Sequence, residues 1–252
     1  MEEFVIATLR YGTPLVYVTL AGVLAQRAGV WNLGLEGLMI IGCCAAVLGL
    51  VQTGSLLFGL ALAVALCVIA SALLWFVIEK LRANPIIAGL GMTGLGLGGT
   101  DLAVQAIYGS QATVNAPYGL PRLGPAFGDF GVLSVLVAAM PFVVFAFWAL
   151  LRRTRFGLQL AASGEHPFAA RSVGVSPARM RLIALCLGGV LCALGGAELA
   201  LGIRAQLVFG DRVPNDLLLA LPYIATVIGI WISARLSGGA KAAVGFGELR
   251  DY

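Results

Sequence analysis

Two pairs of polar side chains, each four residues apart, stand inside apolar runs of this chain: Asn32 with Glu36, and Asp101 with Gln105. On a helix that spacing puts both members on one face. A carboxylate in an apolar run is costly unless it is paired or wet, so each pair is a candidate contact for a polar solute. Each also has a structural explanation. Asn32 would cap a helix at an interface with Glu36 favouring the helix dipole, and Asp101 with Gln105 would form a packing contact near the far interface. A third acid, Glu198, follows Gly195-Gly196. It would either line a water-filled cavity or cap a contact within a bundle.

Other chemistries find little support. No GxxxxGK[ST] stretch is present, so the chain has no phosphate-binding loop of that type. Gly89-Leu-Gly91-Met-Thr-Gly94 fits GxGxxG, but no strand or βαβ pattern surrounds it and the glycines continue through Gly96, Gly98 and Gly99. Close helix packing through pairs such as Gly94 and Gly98 explains the run better than a dinucleotide. No HExxH or Ser/His/Asp set suggests hydrolysis. The five cysteines lie in apolar runs without metal-ligand spacing, and the single histidine, His166, lies in an arginine-rich connection. We therefore expect neither a metal nor another cofactor, and small core-filling cysteines.

The elements that must position these residues follow from composition. Of 252 residues, 60% are apolar and 11% charged; a soluble domain carries about 25% charged residues. Seven runs approach the ~20 residues needed to cross a bilayer: Phe4–Ala25, Leu33–Val51, Leu56–Ile78, Ile86–Tyr108, Val132–Leu151, Leu182–Ile203 and Leu217–Ala234. The first is weakest, because Arg10 interrupts it and must snorkel to an interface. No signal-peptide pattern precedes it, so this run is expected to stay in the mature chain. The expected fold is all-α, a polytopic transmembrane bundle of about seven spans forming one domain over 1–252.

Orientation follows from the arginines. Six of them, Arg152, Arg153, Arg155, Arg171, Arg179 and Arg181, lie in one connection, which marks it as cytoplasmic. Alternation then places the N-terminus outside, the Pro/Gly-rich stretch Ser110–Gly131 outside, and the C-terminus inside. That outer stretch, with Tyr118, reads as a docking surface, a partial lid or a solvated connection. The net charge of +4 is a topology signal, and nucleic acid is not an expected partner. Within the arginine connection, 152–181, Phe168–Val175 reads as a short amphipathic helix ended by Gly174, with a new helix starting at Pro177. Such a segment suits a partner that pushes on the membrane part. A helix resting on lipid headgroups is the other reading.

Several stretches resemble the permeases of ABC importers of the simple-sugar/nucleoside type, within the branched-chain amino acid and ribose permease superfamily. Gly29–Met39, with its Asn-x-Gly-x-Glu-Gly-x-Met core, is similar to the opening motif of these permeases. Asn84-Pro85-Ile86-Ile87-Ala88-Gly89 is similar to the segment before their fourth span. Phe156-Gly157-Leu158, Ala162–Ala170 and Gly174-Val175 resemble their cytoplasmic coupling loop, and Ala193–Leu201 and Leu221-Pro222-Tyr223 also fit.

The resemblance implies a membrane subunit that pairs with a second related permease, a cytoplasmic ABC ATPase and an external substrate-binding lipoprotein in the inner membrane. Nucleosides or related simple sugars are the implied cargo, with hydrolysis of ATP left to the partners. Substrate would pass along Asn32, Glu36, Asp101, Gln105 and Glu198. Gly164, Glu165, Pro167, Ala170, Arg171 and Gly174 would couple to the ATPase. Other readings are a permease for branched-chain amino acids or another small polar solute, an ion-coupled secondary transporter, and a shortened non-transporting variant. The last arises from one departure: two further passes that the family places between Leu201 and Leu217 are replaced by Gly202–Asp216.

Overall fold

The computed structural model describes residues 2–109, 114, 116–124, 131 and 133–202, all within the compact unit Met1–Leu207. The seventh apolar run and nearly all of the shortened connection 202–216 lie outside the described residues. Eight helices follow in order: α1 (Glu2–Arg27), α2 (Leu35–Thr53), α3 (Leu56–Glu79), α4 (Pro85–Tyr108), α5 (Val135–Arg153), α6 (Arg155–Glu165), α7 (Pro167–Ser172) and α8 (Pro177–Ala197). A π-helical turn, Glu198–Gly202, continues α8. Among the described residues there is no strand, only one isolated antiparallel bridge between Arg122 and Ser134.

Local chemistry sets the boundaries. Asn84 accepts from the Ile86 N–H at 2.9 Å, and Pro85 begins α4, where its missing N–H has no role. Ser134 and Thr154 accept from Val137 and Gly157 to start α5 and α6. Gly54 and Gly109 end α2 and α4 in the left-handed region (φ 66° and 71°), which costs glycine nothing.

Among the described residues five elements are long and apolar enough to cross a membrane: α2, α3, α4, α5, and α8 with its π turn. The 26-residue α1 is not among them, although it is about 39 Å long at 1.5 Å per residue. Its placement explains the weaker hydropathy. It packs along α8, with Tyr17, Ala21, Leu24 and Ala25 buried against protein, so fewer of its positions need to suit lipid. Arg10 sits at one end of the bundle, its guanidinium reaching the Gly202 carbonyl at 3.5 Å.

Successive long helices alternate in direction, so their termini gather at two ends. The turn 28–34, the end of α3, α6 and the start of α8 meet at what we call the arginine end, tied by Arg181 to Glu79 at 3.0 Å and by Trp75 Nε1 to the Ala178 carbonyl at 2.9 Å. At the opposite, loop end, the Leu120 N–H bonds the Leu201 carbonyl at 3.3 Å and the Val135 N–H bonds Pro121 at 3.0 Å. Tyr118 donates to the Gly54 carbonyl. Leu120 is buried among Leu50, Ala197 and Leu201. The described part of the Pro/Gly-rich stretch thus touches the bundle through Tyr118, Leu120 and Pro121, while Pro117, Tyr118, Pro121 and Arg122 are exposed.

The core is centred on α8, which packs against α1, α2 and α3. By contrast, α5 buries only Val137 and leaves Phe142, Phe145 and Trp148 exposed. Of the cysteines, Cys67 and Cys192 are buried core residues, whereas Cys43, Cys44 and Cys186 are half-buried.

The glycines of α4 pack differently from the sequence expectation. Among the described residues a Cβ at Gly94 or Gly98 would meet nothing within 4 Å outside its own turn of helix, and Gly89 and Gly96 make the close contacts. A Cβ at 89 would lie 2.8 Å from the Leu33 nitrogen, and one at 96 would lie 2.6 Å from Gly37 Cα. Their seven-residue spacing, two turns on one face, fits a helix lying along α2.

Candidate functional site

The five pathway candidates fall in three places. Asn32 lies before α2, not on it, and its Oδ1 accepts from the Gly34 N–H at 2.9 Å. The expected shared helix face of Asn32 and Glu36 is therefore not formed. Gly29 takes a left-handed φ of 76°, which breaks the chain direction before a helix can include Asn32. Glu36 occupies the first turn of α2 and is exposed, where the positive end of the helix dipole favours it. Asp101 and Gln105 do share a face, both exposed toward the loop end of α4. Asp101 stands about 12 Å along the helix from Thr93, the level at which α2 approaches most closely.

Glu198 is apart from the others. It is 1% exposed, and its Oε2 accepts from Ser134 Oγ at 2.6 Å. The same Ser134 oxygen accepts from the Val137 N–H at 3.2 Å, so one hydroxyl joins the π turn to the start of α5. Among the described residues Glu198 Oε1 has no hydrogen-bond partner, and it faces Gly202, where a Cβ would overlap the carboxylate. Glu198 thus caps a contact within the bundle. Sequence reading missed Ser134, whose only signal was a hydroxyl preceding an apolar run.

At the arginine end the expected break at Gly174 is present. Its φ is 83°, and the Val175 N–H returns to the Ala170 carbonyl at 2.9 Å. Pro177 begins α8. The segment also holds α6, which the sequence reading took as loop. The six coupling candidates divide by direction. Glu165, Arg171 and Gly174 are exposed, Pro167 is half-buried at the start of α7, Ala170 is 2% exposed, and Gly164 faces the bundle. Phe168 (60%) and Val173 (77%) are exposed beside Arg171. Two apolar side chains beside a basic one, at a helix-turn end outside the long apolar helices, make a surface suited to a protein partner.

A second unforeseen group underlies this surface. Arg181 Nη1 bonds Glu79 Oε2 at 3.0 Å, and its Nε reaches the Ala28 carbonyl at 3.4 Å. One guanidinium thereby joins α8, α3 and the turn after α1. Sequence reading counted Arg181 only as a topology marker, because its partner lies about a hundred residues away.

These features define a helical membrane protein that exposes Glu36, Asp101 and Gln105, buries Glu198, and carries two short helices at its arginine end. Comparison with known proteins gives the family. The family described as branched-chain amino acid transport system / permease component matches residues 4–247. The chain is 33% identical to the guanosine ABC transporter permease protein NupQ of Bacillus subtilis, over 96% of this chain and 78% of the relative. It is 31% identical to the nucleoside ABC transporter permease protein NupC of Lactococcus lactis subsp. cremoris, over 84% and 69%. It is 30% identical to the glucose ABC transporter permease protein TsgB13 of Haloferax volcanii, over 93% and 68%. No solved structure matches. The chain belongs to this permease family, and the relatives named above are transport components.

Proposed function

We propose that this chain is one of two related permease subunits of an ATP-driven importer that carries nucleosides or related simple sugars across the inner membrane. The observation that carries the reading is likeness over most of the chain to guanosine, nucleoside and glucose permeases. Residues 1–252 form one transmembrane permease domain of about seven spans, with the N-terminus outside and the C-terminus cytoplasmic. Residues 152–181 are its coupling segment, presented to a cytoplasmic ABC ATPase. An external binding lipoprotein delivers substrate at the loop end.

Substrate passes between this chain and its partner permease. The exposure of Glu36, Asp101 and Gln105 supports this, because acids and amides on a lipid-facing surface would be costly, whereas on a wet or protein-covered surface they are not. Asn32 lies near Glu36 at the arginine end. Glu198, held by Ser134, shapes the loop-end wall from inside instead of touching solute.

Replacing Glu165 and Arg171 together with alanine tests the coupling role. Uptake of labelled nucleoside should fall while ATP hydrolysis persists; undiminished uptake would count against it. Impermeant probes reaching Phe168–Val175 only from the outer side of sealed cells would overturn the orientation.

A further inference from the structure

The helix α6 is seated at both ends by backbone contacts. Gly157, Leu160 and Gly164 lie at i, i+3 and i+7, one face of the helix, and Leu160 between the glycines is fully buried. At 157 a Cβ would overlap the Leu151 carbonyl of α5. At 164 it would overlap the Arg27 carbonyl and lie 2.9 Å from the Gly29 nitrogen. Gly29 answers from the other side: its own Cβ would lie 3.0 Å from Gly164 Cα. No side chain stands between these two segments at that point.

The contact continues in the same manner beyond the turn. Gly34 and Gly37 meet α4 without an intervening side chain on the α2 side: a Cβ at 34 would lie 3.0 Å from the Gly89 carbonyl, and one at 37 would lie 2.5 Å from that of Met92. A displacement carried by side chains is partly absorbed by rotamer changes. Backbone against backbone leaves no such slack, because close-packed interiors respond to volume changes of a single methylene. The rest of α6 leans on α1, α5 and α8 through side chains such as Leu24, Phe147 and Met180, which can yield.

We infer that α6 is a lever whose output is the Gly164 seat on the 27–29 turn, so that force on α7 reaches Asn32, Glu36 and α4 through the close contacts at Gly29, Gly34 and Gly37. Gly164 is then a positioning residue facing inward, not a contact for the ATPase. This rests on the importer reading above. Arg181 holds the same turn through Ala28 and ties it to Glu79, and acts as the pivot against which the lever works.

The test uses the assembled transporter with its ATPase and second permease. In an Asn32→Cys background, thiol labelling at position 32 should change with ATP and vanadate. Adding Gly164→Ala should abolish that change and lower nucleoside taken up per ATP hydrolysed at least tenfold, with the ATPase still co-purifying. Arg181→Gln, which adds no volume, should lower the same ratio several-fold. Uptake and hydrolysis falling by the same factor in both variants would reveal a merely structural role and overturn the lever. So would a normal ATP-dependent labelling change in Gly164→Ala. Failure of the wild-type chain to hold an ATPase would instead remove the importer reading, and the lever with it.

Discussion

α4 and α8 are both glycine-rich apolar helices, and they use their glycines in opposite ways. On α8, Gly189 and Gly196 sit where a Cβ would come within 2.5 Å of Ser71 Oγ and the Met39 carbonyl, and Gly195 lies against Pro14. On α4, Gly89 and Gly96 are packed, while Gly91, Gly94 and Gly98 have nothing within 4 Å. The same composition therefore marks a finished core in one helix and an uncovered face in the other. Small residues let helices approach closely in lipid, but they do so only where a neighbour is supplied. Among the described residues, that open face of α4 also carries Asp101 and Gln105.

Substitutions can break or sharpen that contrast. The largest effect is expected for Gly196→Leu. Its side chain would be driven into the backbone of Met39 and Cys43, and overpacking of this kind costs about 3 kcal/mol at its upper range. Thermal unfolding in detergent would read it, and an unchanged midpoint would mean that α8 is not the packed hub. Next comes Glu198→Ala at the end of the same helix. It strips a buried hydroxyl of its acceptor, a loss of about 2 kcal/mol in the same assay. Ser134→Ala should be non-additive with it, because the two share one hydrogen bond.

Smaller again is Glu79→Gln. The pair with Arg181 is partly exposed (24% and 16%), so its loss should cost under about 1 kcal/mol and weaken further with added salt. The smallest effect on the isolated chain is expected for Gly98→Ala on α4. It should be neutral or stabilising by up to about 1 kcal/mol, since alanine loses less entropy in a helix and meets nothing there. Gly94→Leu should likewise leave the isolated chain folded while reducing recovery of the second permease on co-purification. Strong destabilisation of the lone subunit by either change would show that the face is already covered.

Several parts of this organisation were legible in the residues themselves. The apolar runs foretold α2, α3 and α4 to within about two residues, because a membrane-spanning length of apolar side chains has few alternatives. Gly174 and Pro177 announced the end of α7 and the start of α8, since each acts through its own backbone chemistry. The apolar run itself begins at Leu182, five residues into α8, because Arg179 and Arg181 lie in its first turns. The Asn32–Glu36 pairing failed. Spacing assumes an unbroken helix, and Gly29 and Gly34 end that assumption.

The amino-acid sequence determined that this chain is an apolar helical membrane protein, where most of its helices begin and end, and to which family it belongs. These properties reside in individual residues and short runs, so they can be read in one dimension. Tertiary structure alone decided that Glu198 answers Ser134, that Arg181 answers Glu79, and that Gly164 rests on Gly29 while Gly94 faces nothing. Each of those pairings joins residues tens to more than a hundred positions apart. Whether a glycine is a seat or a gap depends on what the fold brings against it.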